Sequence, residues 1–396
     1  MTLWHSPEGH NVASPAVARA LLRRAIAADP GKPALHTSLG GLEMDAHDFE
    51  AAALSFETAL RLDPETAAAR ASLAYCSNLL HRHQRVLEIL AAAEGPHHER
   101  GVALLRLGGP GEAEAEFRGV LAADPNHRHA CRQLSKLLRK SGRAGESLAV
   151  CEDLYARGAA NAQLFHDWGW ALALAGESGR AGALLLDTAR VVEIELPPPP
   201  GFSDLAEFNS ALADELTGNP YVLSDFSREE EANRGSSRVH SLFAGRRPDL
   251  IRGLLASLQA AVDTWRPERA GAFDPWLDAR PAAARLKAWG LIQRRSDYEE
   301  WHIHRGGWVS GVYYVRVPSS VQAAGDGRGC IEYGPPPRLA EAMPGFAPSH
   351  RVKPKEGRLL LAPSHYPHRT LPSGADERRI SFAFDVVPAA GLTTDR

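Results

Sequence analysis

Between residues 14 and 190, apolar positions recur every three to four residues, a spacing that predicts successive amphipathic helices. Two of these segments close on similar text, AIAADP and ALRLDP, with Asp29-Pro30 and Asp63-Pro64 set 34 positions apart. The pattern stops at LPPPPG, Leu196 to Gly201. Four consecutive prolines lack the donors and dihedrals of a helix interior, so an extended, semi-rigid connection and a domain boundary are expected there. Helical spacing returns from Asp204 to Thr217, ended by Gly218-Asn219-Pro220, and again from Pro248 to Trp265. In the second of these Leu250, Ile251, Leu254, Leu255, Leu258 and Val262 make a stripe suited to packing on a sheet. From Ala288 the period drops toward two in AWGLIQR, HIH, WVSGVYYVRV, CIEYG, GRLLLAP and RRISFAFDVV. Short strands rich in Val, Ile and Tyr between Gly, Pro and Asp turns predict a double-sheet jelly roll.

A fixed step of 34 residues is the tetratricopeptide period. With Pro33 as the first position of one repeat, Leu39, Gly40, Ala52, Phe56, Ala59 and Pro64 fall on that repeat's signature positions. Small residues there let two helices approach closely, while Leu39 and Phe56 fill the space between them. A third unit, from near Ala67 with Leu73 and Ala74, is shortened around Gly95-Pro96. Later units carry Ala113, Phe117 and Asp124-Pro125, then Leu134 and Leu138, then Trp168-Gly169 and Ala181. The resemblance to tetratricopeptide repeats implies a superhelix whose groove binds a peptide or protein partner. A rigid spacer or a dimerisation surface is the plainer reading.

Candidate chemistry lies further on, in WHIHRGGWVSGVYYVRV, Trp301 to Val317. If this stretch is extended, His302 and His304 point to one face and could share a metal ion. The pattern alone is weak, since it recurs as His81 and His83 and as His127 and His129, in helical text where i and i+2 diverge. Its weight comes from the downstream segments: the Gly-bounded GCIEYG with Glu332, then PHRTLPSG with His368, then RISFAFDV. Alternation in the last strand sets Ile380, Phe382 and Phe384 on one face and Arg379, Ser381 and Ala383 on the other. An arginine on that face calls for an anion, and a register error of one residue would put Arg378 there instead.

As an ordered set these motifs resemble the Fe(II)/2-oxoglutarate-dependent dioxygenases, in particular a bacterial branch whose core reads HIHxxGWxSGVYYV, then G-x-I-E-(F/Y)-G, PHxxxPSG and RISxAF. The resemblance covers roughly the last half of the chain. It implies a double-stranded β-helix (jelly-roll, cupin-like) domain with flanking helices, using Fe(II), 2-oxoglutarate as co-substrate and O2. Carried over residue by residue, His302 becomes the first iron ligand and His368 the distal one. Arg379 would hold the distal carboxylate of 2-oxoglutarate, with Ser381 beside it and Tyr314 hydrogen-bonding it, while Tyr313 points into packing. Most such enzymes use a His-x-Asp pair, and here His304 stands where the Asp would be. The expected set is therefore His302, His304 and His368, with Glu332 as the alternative third ligand. The expected architecture is an all-α repeat array over 1–195, a linker over 196–201 and the oxygenase-like domain over 202–396. Hydroxylation of a protein or peptide side chain is the reaction expected. Rival readings are a repeat scaffold with a degenerate, non-catalytic barrel, and the same chemistry on a small metabolite.

Composition alters this picture little. A chain of 396 residues, 44% hydrophobic and 23% charged, is long enough for two or three soluble domains. A net charge of −3 gives no overall field for nucleic acid or an anionic membrane, so neither partner is expected. The opening MTLWHSPEGH has no basic region followed by an apolar run, and no stretch approaches about 18 apolar residues, so a cytoplasmic protein is expected. Cys76, Cys131, Cys151 and Cys330 form no Cys-x-x-Cys pair, which argues against a zinc site or a disulfide framework.

Overall fold

The computed structural model describes residues 2–4, 15–223, 232–269, 271–342 and 349–389; most of the opening MTLWHSPEGH lies outside them. The chain divides into two units. One is Val12–Arg143 with Ala156–Gly158, and the other is Ala144–Tyr155 with Ala159–Arg396 and Met1–Asn11.

In the first unit, helices α1 (Pro15–Ala28), α2 (Pro33–Asp45), α3 (Phe49–Leu62), α4 (Ala67–Leu79), α5 (His83–Ile89), α6 (His98–Arg106), α7 (Pro110–Ala123) and α8 (Arg128–Lys140) follow one another. Each helix pair turns on one residue of positive φ, at His47, His81, Gly108 and Gly142. His47 to His81 and Gly108 to Gly142 are steps of 34, while His81 to Gly108 is 27, which locates the shortened repeat at the short helix α5. The close approach expected of small residues is present: a Cβ on Gly40 would stand 2.7 Å from the Phe56 ring, and one on Gly101 2.6 Å from that of Phe117. Ala52, Ala59 and Leu73 complete the buried seam around Phe56. Side chains also cap the starts of helices, Asp48 accepting from the Ala51 amide and His127 from that of Ala130.

The second unit begins in helices α9 (Ala144–Ala156), α10 (Ala162–Leu174) and α11 (Ser178–Leu185), and later adds α12 (Leu205–Thr217) and α13 (Pro248–Thr264). Its strands are β1 (Thr2–Trp4), β2 (Val192–Glu195), β3 (Val222–Leu223), β4 (Asn233–Arg234), β5 (Ser237–Val239), β6 (Ala283–Gln293), β7 (Tyr298–His302), β8 (Val309–Arg316), β9 (Ile331–Tyr333), β10 (His350–Val352), β11 (Arg358–Pro363), β12 (His368–Thr370) and β13 (Arg379–Pro388). The larger sheet runs β2-β11-β8-β13-β6-β5-β3, with β1 paired to β6, and the smaller runs β10-β9-β12-β7-β4. Among the described residues the two sheets do not close into a barrel. Tyr314, Leu360 and Ala362 of the larger sheet pack with Ile331 and Tyr333 of the smaller. The opposite face of the larger sheet carries Tyr313, whose hydroxyl donates to Asn209 of α12 at 2.7 Å.

The proline run lies inside this second unit rather than between the two. Strand β2, just before it, pairs antiparallel with β11. The His365 ring bonds the Leu184 carbonyl at 2.7 Å, and the Tyr366 hydroxyl accepts from the Asp187 amide at 3.0 Å. Helices counted in the sequence as the last repeat are thus built into the sheet-bearing unit.

Candidate metal centre

Strand β7 ends at His302, and His304 lies just beyond it in the following turn, where its amide donates to the Ser364 carbonyl. The two rings therefore meet through a turn rather than along a continuous strand. His368 begins β12 and sits opposite His302 in the pairing of β12 with β7. Ring centroids stand 4.2 Å apart for His302 and His368, 5.1 Å for His304 and His368, and 5.2 Å for His302 and His304. One nitrogen from each ring lies within 4.8 Å of the others, an arrangement able to hold a metal ion.

The outer partners determine which nitrogens face inward. His302 Nδ1 meets the Glu300 carbonyl at 2.7 Å, His368 Nδ1 the Tyr366 carbonyl at 3.0 Å, and His304 Nδ1 the Asp385 carboxylate at 2.7 Å. All three partners only accept, so each Nδ1 must carry a proton, and each neutral ring keeps its Nε2 lone pair for a ligand. Burial holds the pKa of His302 below its ordinary value and that of His368 well below it, with the neighbouring imidazoles adding to the effect on His368. Burial acts the same way on His304, but the charge and hydrogen bond of Asp385 outweigh it and hold that ring above its ordinary value.

Beside the triad, Arg379 is 4% exposed. Its Nη1 donates to the Gly329 carbonyl at 2.6 Å, whereas its Nε and the Ser381 hydroxyl are buried with no hydrogen-bond partner among the described residues. Tyr314 lies opposite Ser381 across β8 and β13, its hydroxyl pushed up to about 12 by burial against the opposing pull of Arg379. A buried guanidinium with an unused donor, next to an unused hydroxyl, is costly unless an anion accepts from both. The donor set therefore fits a carboxylate. Arg378, one residue back, is exposed.

Glu332 is placed elsewhere. Its carboxylate takes Arg369 at 2.7 Å and Arg351 at 3.1 Å, and it also bonds Ser349. In the register of β9 with β12, Glu332 stands opposite Arg369 while its neighbour Tyr333 stands opposite His368, so alternation turns Glu332 away from the triad. Trp308 is buried and stacked on Trp276 with centroids 4.7 Å apart.

Three residues at the site are absent from the sequence reading. Asp385 shares the parity of Arg379, Ser381 and Ala383 on β13, so extending the same alternation by two residues finds it. Trp289 stacks on His304 at 5.8 Å with an 18° interplanar angle; it lies opposite Ala383 on β6, a pairing invisible in the linear text. Glu299 is hidden by a bulge. Thr370 pairs with Glu299 and His368 with His302, so two residue steps on β12 span three on β7 and the parity of β7 reverses. Glu299 consequently feels His302, His304, Arg238 and Arg379, which together outweigh its burial and hold its carboxyl below the usual range. Glu300, the residue that strict alternation would choose, is exposed and paired with Arg234.

Residues 287–385 match the family described as Putative 2OG-Fe(II) oxygenase. The matched segment contains the triad, Arg379, Ser381 and Asp385. Among solved structures, a Pseudomonas putida prolyl-4-hydroxylase is 16% identical and aligns over 54% of this chain and 98% of its own, with a TM-score of 0.35. YrrB, a tetratricopeptide protein with an unusual peptide-binding site, is 18% identical over 41% of this chain and 88% of its own, at 0.32. The Pseudomonas aeruginosa pilF product is 18% identical over 43% and 81%, at 0.37. No curated protein matches the chain. Among the described residues no helix is long and apolar enough to cross a membrane.

Proposed function

We propose that the chain is an Fe(II)- and 2-oxoglutarate-dependent oxygenase that hydroxylates a side chain of a protein or peptide, presented with help from the repeat array. The observation that carries this reading is the pairing of three inward Nε2 atoms with a buried arginine and serine that still have donors to give. His302, His304 and His368 would hold the iron, leaving positions for 2-oxoglutarate and O2. Arg379, Ser381 and Tyr314 would hold the distal carboxylate of 2-oxoglutarate, the guanidinium adding charge to the hydrogen bonds. When bound, the metal supplies oxidative decarboxylation of 2-oxoglutarate by O2 to succinate and CO2, with the second oxygen atom passing into a C–H bond of the substrate. The chain's own share is to orient the co-substrate, to fix the tautomer and orientation of three imidazoles through their Nδ1 partners, and to exclude water between the sheets. A protein or peptide substrate is favoured by the fusion to repeats, an architecture that presents extended grooves. YrrB, with its peptide-binding site, is one protein built of such repeats.

The test is a pair of titrations on the wild type and Arg379→Ala, one with Mn(II) and one with 2-oxoglutarate in the presence of Mn(II). Truncating a buried charge-assisted pair costs about 2 to 5 kcal/mol, so 2-oxoglutarate affinity should fall by roughly 30-fold or more while Mn(II) affinity holds. Equal 2-oxoglutarate affinity in the two proteins removes the co-substrate reading, and a loss in Arg378→Ala instead would move the role by one residue. Succinate formation on candidate peptides, and its absence with free metabolites, decides the substrate class.

A further inference from the structure

Helix α8 carries Arg128, Arg132, Lys136, Arg139 and Lys140 with no acidic residue among them. Arg132, Lys136 and Lys140 recur at four-residue spacing, which lines their side chains along one ridge. Arg106, the last residue of the neighbouring α6, joins them: burial first, and then the like charges of Arg132, Lys140, Arg106 and Arg139, hold the Lys136 pKa below the ordinary lysine value. The opposite side of α8 is the buried one, through Ala130, Cys131, Leu134 and Leu138. Like charges at i and i+4 weaken a helix, so an anion lying on the ridge would relieve a repulsion built into α8.

We propose that this ridge of the first unit docks an acidic peptide segment, three or four carboxylates in extended conformation. The ridge from Arg132 to Lys140 spans about 12 Å, the reach of roughly four extended residues. It is short for the regular phosphate track of a nucleic acid, and the chain's net charge of −3 provides no long-range attraction for a polyanion. The inference rests on reading the repeats as a partner-binding array and narrows that partner to acidic sequence.

The full chain is titrated with dye-labelled octaglutamate, octaglutamine and a ten-residue oligothymidylate. Octaglutamate should bind, more weakly as salt rises, and R132E/K136E/K140E should weaken it by about tenfold or more. R19E/R24E/R61E, an equal charge change elsewhere on the unit, should leave it within about twofold. The single variant K136E separates binding from folding: it places Glu between Arg132 and Lys140, so its melting temperature should hold or rise while octaglutamate affinity drops. Octaglutamate binding that is absent, or unchanged in the triple variant, overturns the proposal. So does tighter binding of the oligothymidylate through the same three residues, which would assign the ridge to nucleic acid. Binding of octaglutamine as strong as octaglutamate would uphold a peptide-binding array and still sink this ridge as its acidic subsite. None of these outcomes touches the metal centre, which the Mn(II) titration reads separately.

Discussion

In the proposed ligand set His304 would stand in for a carboxylate, and Asp385 would supply the negative charge one hydrogen bond further out. Asp385 Oδ1 meets His304 Nδ1 at 2.7 Å and also accepts from the Ser310 hydroxyl at 2.7 Å, so two donors hold the same oxygen in place. A metal-binding imidazole backed by a carboxylate is a more basic ligand than one backed by a carbonyl. Asp385→Asn keeps the shape and an acceptor oxygen but removes the charge, and it should weaken Mn(II) or Co(II) binding by roughly 10- to 100-fold with the fold intact. Ser310→Ala, which loses only a neutral bond, should cost far less; equal metal affinity in Asp385→Asn and wild type would remove Asp385 from this role. A second residue-level prediction concerns His365, whose pKa burial lowers to about 3. A histidine depressed in the folded state binds its proton preferentially when unfolded, so the stability it contributes is present above about pH 6.5 and is lost as pH falls toward 3. His365→Phe should lower the melting temperature at pH 7, because the bond to Leu184 is lost at a cost of about 1 kcal/mol, yet flatten its decline between pH 6.5 and 4. An unchanged pH slope in the mutant would refute the assignment.

Among the elements, β2 and β11 decide where the sheet-bearing unit begins. Residues Val192 to Glu195 cover an edge of the larger sheet, and Arg358 of β11 holds Glu193 and Glu195 across that pairing. A fragment starting after the proline run, at about residue 202, exposes the β11 edge and strips the partners from His365 and Tyr366. One starting at Ala144 keeps them. The 144–396 fragment should therefore be monodisperse by size-exclusion chromatography and bind Mn(II), while 202–396 should aggregate; a soluble, metal-binding 202–396 would return the boundary to the prolines. The β7 bulge is the other element-level device, since by its extra residue Glu299 rather than Glu300 reaches the triad face.

On the scale of the whole chain, ligands of the second unit should leave the first unit's stability alone. Saturating Mn(II) and 2-oxoglutarate at about 100 times their dissociation constants stabilises the unit that binds them by roughly 2.7 kcal/mol each. For a unit of this size that is a rise of about 5 to 11 °C per ligand in its own melting transition. Differential scanning calorimetry should show one transition that moves with these ligands and one that does not, and Arg379→Ala should abolish only the share due to 2-oxoglutarate.

Periodicity alone determined the helical array, the later strands and the inward parity of Arg379 and Ser381, because burial of one face imposes a period of 3.6 or 2 that local text must obey. The small residue at Gly40 was legible for the same reason, since close helix approach restricts residue size; the same approach of Gly101 to Phe117 came only from the structure. What the tertiary structure decided was whatever depends on pairing between distant segments. Asp385 could be placed on the right face from its own strand, but its bond to His304 requires the turn after β7 to fold back over β13. Glu299 was illegible because a bulge is a property of two paired strands, not of one. Glu332 shows the converse: its parity could not be assigned until β9 was set beside β12, which gave its carboxylate to Arg369 and Arg351. The assignment of α9 to α11 to the sheet-bearing unit was likewise hidden, since a repeat helix that packs on a sheet and one that packs on another repeat present the same apolar stripe to a reader of sequence.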